Sequence, residues 1–286
     1  MWLFFACGSA LFAGVTAVLA KIGMQHIQST VATALRTVIV LAFSWLLVLL
    51  TGAISGIGSI SGKTLLFLLL SGCATGASWL CYFKALQLGD VSHVAPIDKS
   101  STILTMLLAF LLLGESLTLL KVCCMLLIGA GTFLMLPKRS ANPQKTAGKG
   151  WLFYAVLSAV FASLTSILGK VGIQNVDSNL GTAIRTCVVL LMAWGMVFVT
   201  GQQHSLHGLN RKDLLFLGLS GLTTGLSWLC YYRALQDGPA SVVVPIDKLS
   251  ILVTVAFSGL VLKERLHRRS GIGLALLTAG TLLLVI

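Results

Sequence analysis

Charge is what this sequence has least of. Asp, Glu, Lys and Arg make up only 10% of its 286 residues, and acids are scarcer than bases, 8 against 20 Lys and Arg. A soluble domain carries about a quarter charged residues, so an ordinary water-surrounded fold is excluded. Histidine is rare, and His26, His93, His204, His207 and His267 have no metal-ligand spacing. Cys7, Cys73, Cys81, Cys123, Cys124, Cys187 and Cys230 form no CxxC pair and lie within apolar runs, where cysteine behaves as a small buried hydrophobe. No metal and no cofactor is therefore expected. No Ser-His or Cys-His set shares a face and no phosphate loop occurs, so no catalytic residues and no enzyme are expected either.

What the sequence has in quantity is apolar surface. Hydrophobic residues make up 57% of the chain and the mean hydropathy is +0.97. A membrane-spanning helix needs about 20 mostly apolar residues, and ten such segments are expected, at about 2–22, 31–51, 64–87, 93–113, 118–136, 151–171, 180–200, 213–236, 242–262 and 270–286. The fold class is an all-α membrane protein surrounded by a lipid bilayer. Met1 to Ala20 lacks the basic start of a signal peptide and reads as a retained first span. The net charge of +12 comes from Lys and Arg that mostly flank apolar runs, the pattern that sets membrane orientation. It gives no reason to expect nucleic acid.

The chain repeats itself. Laid over 150–286 without a gap, residues 1–137 give roughly 60 identities, and internal duplication of this length marks many transporters. Thr33-Ala34-Leu35-Arg36-Thr37 meets Thr182-Ala183-Ile184-Arg185-Thr186, and Pro96-Ile97-Asp98-Lys99 meets Pro245-Ile246-Asp247-Lys248. The domains are a first five-helix repeat over 1–137, a polar linker over 138–149 and a second five-helix repeat over 150–286. An odd number of spans per repeat makes the second enter the membrane from the opposite side, so the repeats are inverted. Lys and Arg concentrate at odd-numbered connections, among them Lys21, Lys138, Arg139, Lys145, Arg211, Lys263 and Arg268. By that bias the odd connections are cytoplasmic and both termini face outward.

Ionisable groups inside apolar segments are functional suspects by default. Asp98, Ser101, Thr102 and Thr105 make one polar stripe on the fourth segment; Asp247, Ser250, Thr254 and Ser258 make its counterpart on the ninth. The third segment places Thr75, Ser78, Trp79 and Tyr82 on one face, and the eighth Thr224, Ser227, Trp228 and Tyr231. These aromatics suit either the wall of a small-molecule site or an interfacial belt. Arg36, Lys84, Asp98 and Lys99 are expected near one mouth of the protein, and Arg185, Arg233, Asp247 and Lys248 near the other. Arg36 and Lys99 either snorkel to the interface while Asp98 neutralises one of them, or belong to a site in which Asp98 and Asp247 exchange protons or ion-pair partners as access alternates. Gly72xxxGly76 and Gly221xxxGly225 read as close helix contacts. Glu115 and Glu264 are expected to be solvated or paired with nearby bases. Pro96 and Pro245 each remove a backbone donor and loosen their helices.

An Ala-Pro or Val-Pro opening the fourth segment of each half, Leu111-Leu112-Leu113-Gly114-Glu115 closing it, and Gly129-Ala130-Gly131-Thr132 in the fifth resemble the EamA-type transporters of the drug/metabolite superfamily. The Pro-Ile-Asp-Lys-x-Ser block resembles that of short single-repeat members that pair to function, so the chain looks like two of them fused. The resemblance implies ten helices around a central cavity, both termini in the cytoplasm (against the charge bias), and alternating access. The expected function is secondary active transport of a small polar or anionic metabolite, with protons or a counter-exchanged solute as coupling partner. The chain would act as a monomer or homodimer in a bacterial-type inner membrane. The alternative is a flippase for an anionic lipid or lipid-linked substrate, whose headgroup the bases would hold.

Overall fold

The structure is a computed structural model, and it describes residues 1–23, 27–88, 94, 97–135, 150–204, 210–261 and 268–285. The linker 138–149, Pro96, Glu264 and four of the histidines lie outside these residues, as does the side chain of Ser258. Among the described residues every regular element is helical. The α-helices are α1 (Trp2–Gly23), α2 (Ser29–Leu50), α3 (Gly62–Leu88), α4 (Ser101–Leu113), α5 (Leu119–Met135), α6 (Gly150–Ile173), α7 (Ser178–Val199), α8 (Arg211–Asp237), α9 (Ala240–Lys248), α10 (Ser250–Val261) and α11 (Arg268–Leu283). A short 3-10 helix, Ala53–Ser59, follows α2.

Ten spans are expected from the sequence, and seven described stretches are long and apolar enough to cross a bilayer: α1, α2, α3, α6, α7, α8 and Ala240–Phe257. Helix α5 has 17 residues, α4 has 13 and α11 has 16. The fourth and ninth segments are not single helices. Helix α9 ends at Lys248, Leu249 makes a single tightened turn with helical φ and ψ (−64°, −10°) and its N–H on the Ile246 carbonyl, and α10 begins at Ser250. In the first repeat Ser100 makes the same turn onto Ile97, with N–H and hydroxyl at 3.1 and 2.6 Å from its carbonyl, before α4 begins. Pro245 lies inside α9 and withholds one backbone donor. The acid–base motif therefore sits at an interruption in a helix, not at the start of one.

The compact units are not the sequence halves. One comprises Met1–Cys73, Leu168–Gly238 and Ser250–Glu264; the other comprises Ala74–Ile167, Pro239–Leu249 and Arg265–Ile286. In the first unit α1 packs along α8 and against α10, while α2 packs on α7 and α8. Small residues set these crossings. A Cβ on Gly221 would lie 2.9 Å from Ile39 Cβ and 3.2 Å from the Arg36 carbonyl oxygen. Its repeat counterpart Gly72 stands the same way to Val188 Cβ (2.7 Å) and the Arg185 carbonyl (3.0 Å). Gly225 abuts Phe43. Gly72, Gly221 and Gly225 of the GxxxG pairs thus permit close approach, as their spacing indicates. Val48, Leu180 and Ala183 form a buried apolar knot under Trp45 and Ile184.

In the second unit α5 packs along α11, with the ideal Cβ of Gly131 2.6 Å from the Gly273 carbonyl oxygen. The remaining turns of α3 meet α6 through a buried serine pair, Ser78 Oγ and Ser158 Oγ, 3.3 Å apart. The repeat-related pair, Ser9 Oγ and Ser227 Oγ, lies in the first unit at the same 3.3 Å. In both units, the first helix of one repeat therefore lies against the third helix of the other. Serine hydroxyls at such apolar crossings must find partners within the protein, because lipid offers none.

Candidate functional site

The sequence places Asp98 with Lys99 and Asp247 with Lys248 at opposite mouths; the structure brings them together within the second unit. The Lys99 ammonium lies within the electrostatic influence of Lys248, Asp98 and Asp247. Lys248 Nζ is 3.9 Å from Asp247 Oδ2, with both side chains partly exposed, 39% and 20%. Ser158 donates a hydrogen bond of 2.7 Å to Asp98 Oδ1, which ties the carboxylate to the buried Ser78–Ser158 pair. The physical reason for the correction is the helix interruption. The order of spans in the sequence does not fix how far each segment runs before its motif, so it does not fix where the two motifs lie.

Two acids and two bases in one cluster carry no formal net charge between them. Taking up or releasing a single proton leaves a net charge there. This arrangement can couple a protonation event to a change in packing.

Glu115, expected from the sequence to be solvated or paired with a nearby base, pairs with backbone. Gly114 ends α4 in the left-handed region (φ 67°), a conformation that suits glycine. The turn delivers Glu115 to the start of α9, where its Oε1 accepts from the Ala240 N–H at 2.6 Å and its Oε2 from the Ser241 N–H at 3.0 Å. A carboxylate from the first repeat thus caps, with both oxygens, the helix that carries Asp247 and Lys248 in the second. The sequence signal for it is Gly-Glu directly after an apolar helix, a C-cap followed by an acid. Its partner, 125 residues on, leaves no local trace.

The remaining candidates divide between the units. In the first, Arg185 is buried, donates from Nε to Ser71 Oγ at 3.1 Å, and lies with its guanidinium carbon 5.1 Å from the Trp228 ring centroid and 4.6 Å from that of Tyr232. Sequence reasoning names Tyr231 here, whereas the ring over the arginine is Tyr232, four residues on from Trp228 and hence on the same helix face. Tyr231 packs edge-to-face on Tyr232. Arg36 donates to Thr224 Oγ1 at 2.8 Å. Ser227 is buried in its pair with Ser9, and Ser250 uses its carbonyl to accept from Thr254 Oγ1. Arg233 belongs to the helix surface, in an ion pair with Asp237 at 3.3 Å and a hydrogen bond to Gln236.

In the second unit Tyr82 packs beside the buried Ala85, Val94 and Ala155. Trp79 is half-buried, Lys84 is exposed, and Ser101 accepts from Thr105 through its backbone carbonyl. Ser78 and Ser227 therefore serve helix packing, Thr224 of the eighth segment's polar face meets Arg36, and the polar partners that the sequence reading does not single out are Ser158 and Ser71. No group of three or more metal-ligating side chains occurs among the described residues.

The comparisons with known proteins agree with this architecture. A transporter from Sinorhizobium sp., named only as uncharacterized and lying in a cobO 3′ region, is 47% identical over 138 residues, which are 48% of this chain and 98% of that protein. An uncharacterized transporter from Helicobacter pylori is 26% identical over 224 residues, 74% of this chain and 70% of that one. A crystal structure that shares only 17% identity superposes with a TM-score of 0.80 over 99% of this chain and 96% of that chain, a likeness of fold alone. The signature of the EamA-like transporter family matches residues 1–136 and again 149–286, and the chain accordingly belongs to that family of membrane transporters.

Proposed function

We propose that the protein is a secondary carrier that moves a small polar or anionic metabolite by alternating access, as two inverted five-helix repeats in the inner membrane of a bacterial-type cell. The observation that carries this reading is the neutral cluster of Asp98, Lys99, Asp247 and Lys248 at two helix interruptions. Discontinuous helices with charged groups at the break are the usual site of substrate and ion binding in carriers. A proton delivered to Asp98 or Asp247 leaves its lysine without a counter-charge. The cost of an unpaired charge in a poor dielectric then favours repacking, or capture of an anion. Proton coupling follows if the two access states differ in which aspartate is protonated.

The test is uptake into proteoliposomes with and without a pH gradient, run on the wild type and on Asp98→Asn with Asp247→Asn. The expected outcome is loss of gradient-driven accumulation in the double variant. Accumulation that persists with its pH dependence intact defeats the coupling role.

A flippase is the second reading, and one feature favours it. Helices α4 and α5 flank a half-open, almost wholly apolar groove of about 460 Å³, lined by Ile103, Leu107, Leu117, Met125, Leu126 and Gly129 among others, of a size and chemistry suited to an acyl chain. Movement of a fluorescent anionic lipid between leaflets, sensitive to Leu107→Trp, supports the flippase; transport of a water-soluble solute unaffected by that substitution supports the metabolite carrier.

A further inference from the structure

The repeat supplies an internal comparison between two arginines. Arg36 and Arg185 are repeat counterparts, each in Thr-Ala-(Leu/Ile)-Arg-Thr on the second helix of its repeat, and both lie in the first unit. Arg185 is buried, its Nε is taken by Ser71 and two rings cover its guanidinium, although its Nη1, like the Nε of Arg36, is a buried atom that makes no hydrogen bond among the described residues. The counterpart of Ser71 is Ser220, which turns its hydroxyl to the Thr16 carbonyl at 3.3 Å. Arg36 is left differently. One terminal nitrogen donates to Thr224, while Nε is buried with no hydrogen-bond partner among the described residues. No acidic side chain pairs with Arg36 among those residues.

A guanidinium taken from water without a counter-charge is destabilising, and so is a buried N–H with no acceptor. A single oxyanion relieves both, because a carboxylate or phosphate oxygen pair matches the planar fork of arginine. Thr224 contributes by holding the other end of the group in place. We propose that Arg36, whose guanidinium lacks, among the described residues, the ring cover of its repeat counterpart, is a cation that binds the carboxylate or phosphate of the transported molecule. The inference deepens the carrier reading above and rests on it. The same oxyanion chemistry is offered by a soluble metabolite and by a phospholipid headgroup.

The experiment is a thermal-shift titration of the purified full-length protein with succinate, inorganic phosphate and short-chain phosphatidylglycerol. Choline and erythritol serve as cationic and uncharged controls, each up to about 10 mM, which reaches weak affinities. A saturable rise in melting midpoint is expected for at least one anionic probe and for neither control. A soluble probe identifies a metabolite, and phosphatidylglycerol alone identifies a headgroup.

Arg36→Gln is expected to weaken that probe about tenfold or more, the scale of a lost charge-assisted bond. Arg36→Lys and Thr224→Ala should weaken it by about threefold or more, and the exposed Lys63→Gln should leave it unchanged. If Arg36→Gln does not yield folded protein, Arg36→Lys and Thr224→Ala decide. Unaltered affinity in both overturns the proposal. So does a shift by the controls alone, the absence of any shift, or loss of the anion effect in Arg185→Gln while Arg36→Gln retains it. The two readings fail separately: Arg36-dependent binding without transport in vesicles defeats only the carrier, and transport with anion binding indifferent to Arg36 defeats only this assignment.

Discussion

Glu115 shows how much one side chain can organise at a distance. Its two oxygens satisfy two of the N–H groups that a helix start otherwise leaves without partners, and they add a negative charge where the helix dipole is positive. The capped helix is only nine residues long and carries a proline, so its own hydrogen bonds hold it weakly. Replacing Glu115 by Ala should cost about 1–2 kcal/mol. Gln keeps one acceptor and should fall between the two. Thermal melts of the three proteins give the order wild type, Gln, Ala. In vesicles, the turnover of both variants should drop more than their substrate affinity, because the cap positions Asp247 and Lys248 without touching the solute. Equal melting midpoints in all three proteins would show that the cap contributes no stability. Asp177, by contrast, caps its own helix α7, accepting from Asn179 and Leu180 at 2.9 and 3.2 Å, and is the kind of cap that a sequence displays outright.

At the scale of elements, helices and their small-residue seams are legible in the sequence because both depend on local pattern. Apolar length gives α1, α2, α3, α6, α7 and α8, and the glycine spacing of Gly72 and Gly221 gives their close contacts. The interruptions are not legible. Pro245 points to a loosened helix, yet the break falls at Leu249, after the acid and base, because an unpaired backbone donor is only one contribution to where a helix turns. Nor does periodicity tell which polar residue of a stripe meets a partner: Ser158 reaches Asp98, while Ser78 serves the crossing beside it.

Glycines separate the cases by experiment. At Gly131 an added methyl meets backbone atoms of α11 at 2.6 Å, which cannot step aside, whereas at Gly195 of α7 nothing lies within 4 Å. Gly131→Ala should therefore destabilise by about 1–3 kcal/mol. Gly195→Ala should be neutral or stabilise by up to about 1 kcal/mol. Melting midpoints in one detergent provide the comparison, and a similar loss at both positions would mean that crossing distance does not govern these helices.

For the whole molecule, duplication and compactness divide the chain differently. The sequence repeats after its linker, but each compact unit draws helices from both repeats. The polar contacts follow suit: Ser9 with Ser227, Thr16 with Thr223 at 2.7 Å, Arg36 with Thr224, Arg185 with Ser71 and Glu115 with the start of α9 all join one repeat to the other. A repeat on its own would leave half of each of these unsatisfied in an apolar surrounding. The Sinorhizobium relative, covered to 98% by a 138-residue match, is about as long as one repeat. A protease site placed within 138–149 tests the same logic here. After cleavage the two pieces should co-purify in detergent, with a melting midpoint within a few degrees of the uncut protein, since the severed bond contributes only a loop-closure term of a few kcal/mol at most. Residues 1–137 expressed alone should either fail to accumulate or appear as a homodimer. Pieces that separate cleanly and stay folded as monomers would mean that the repeats, rather than the interleaved units, are what folds.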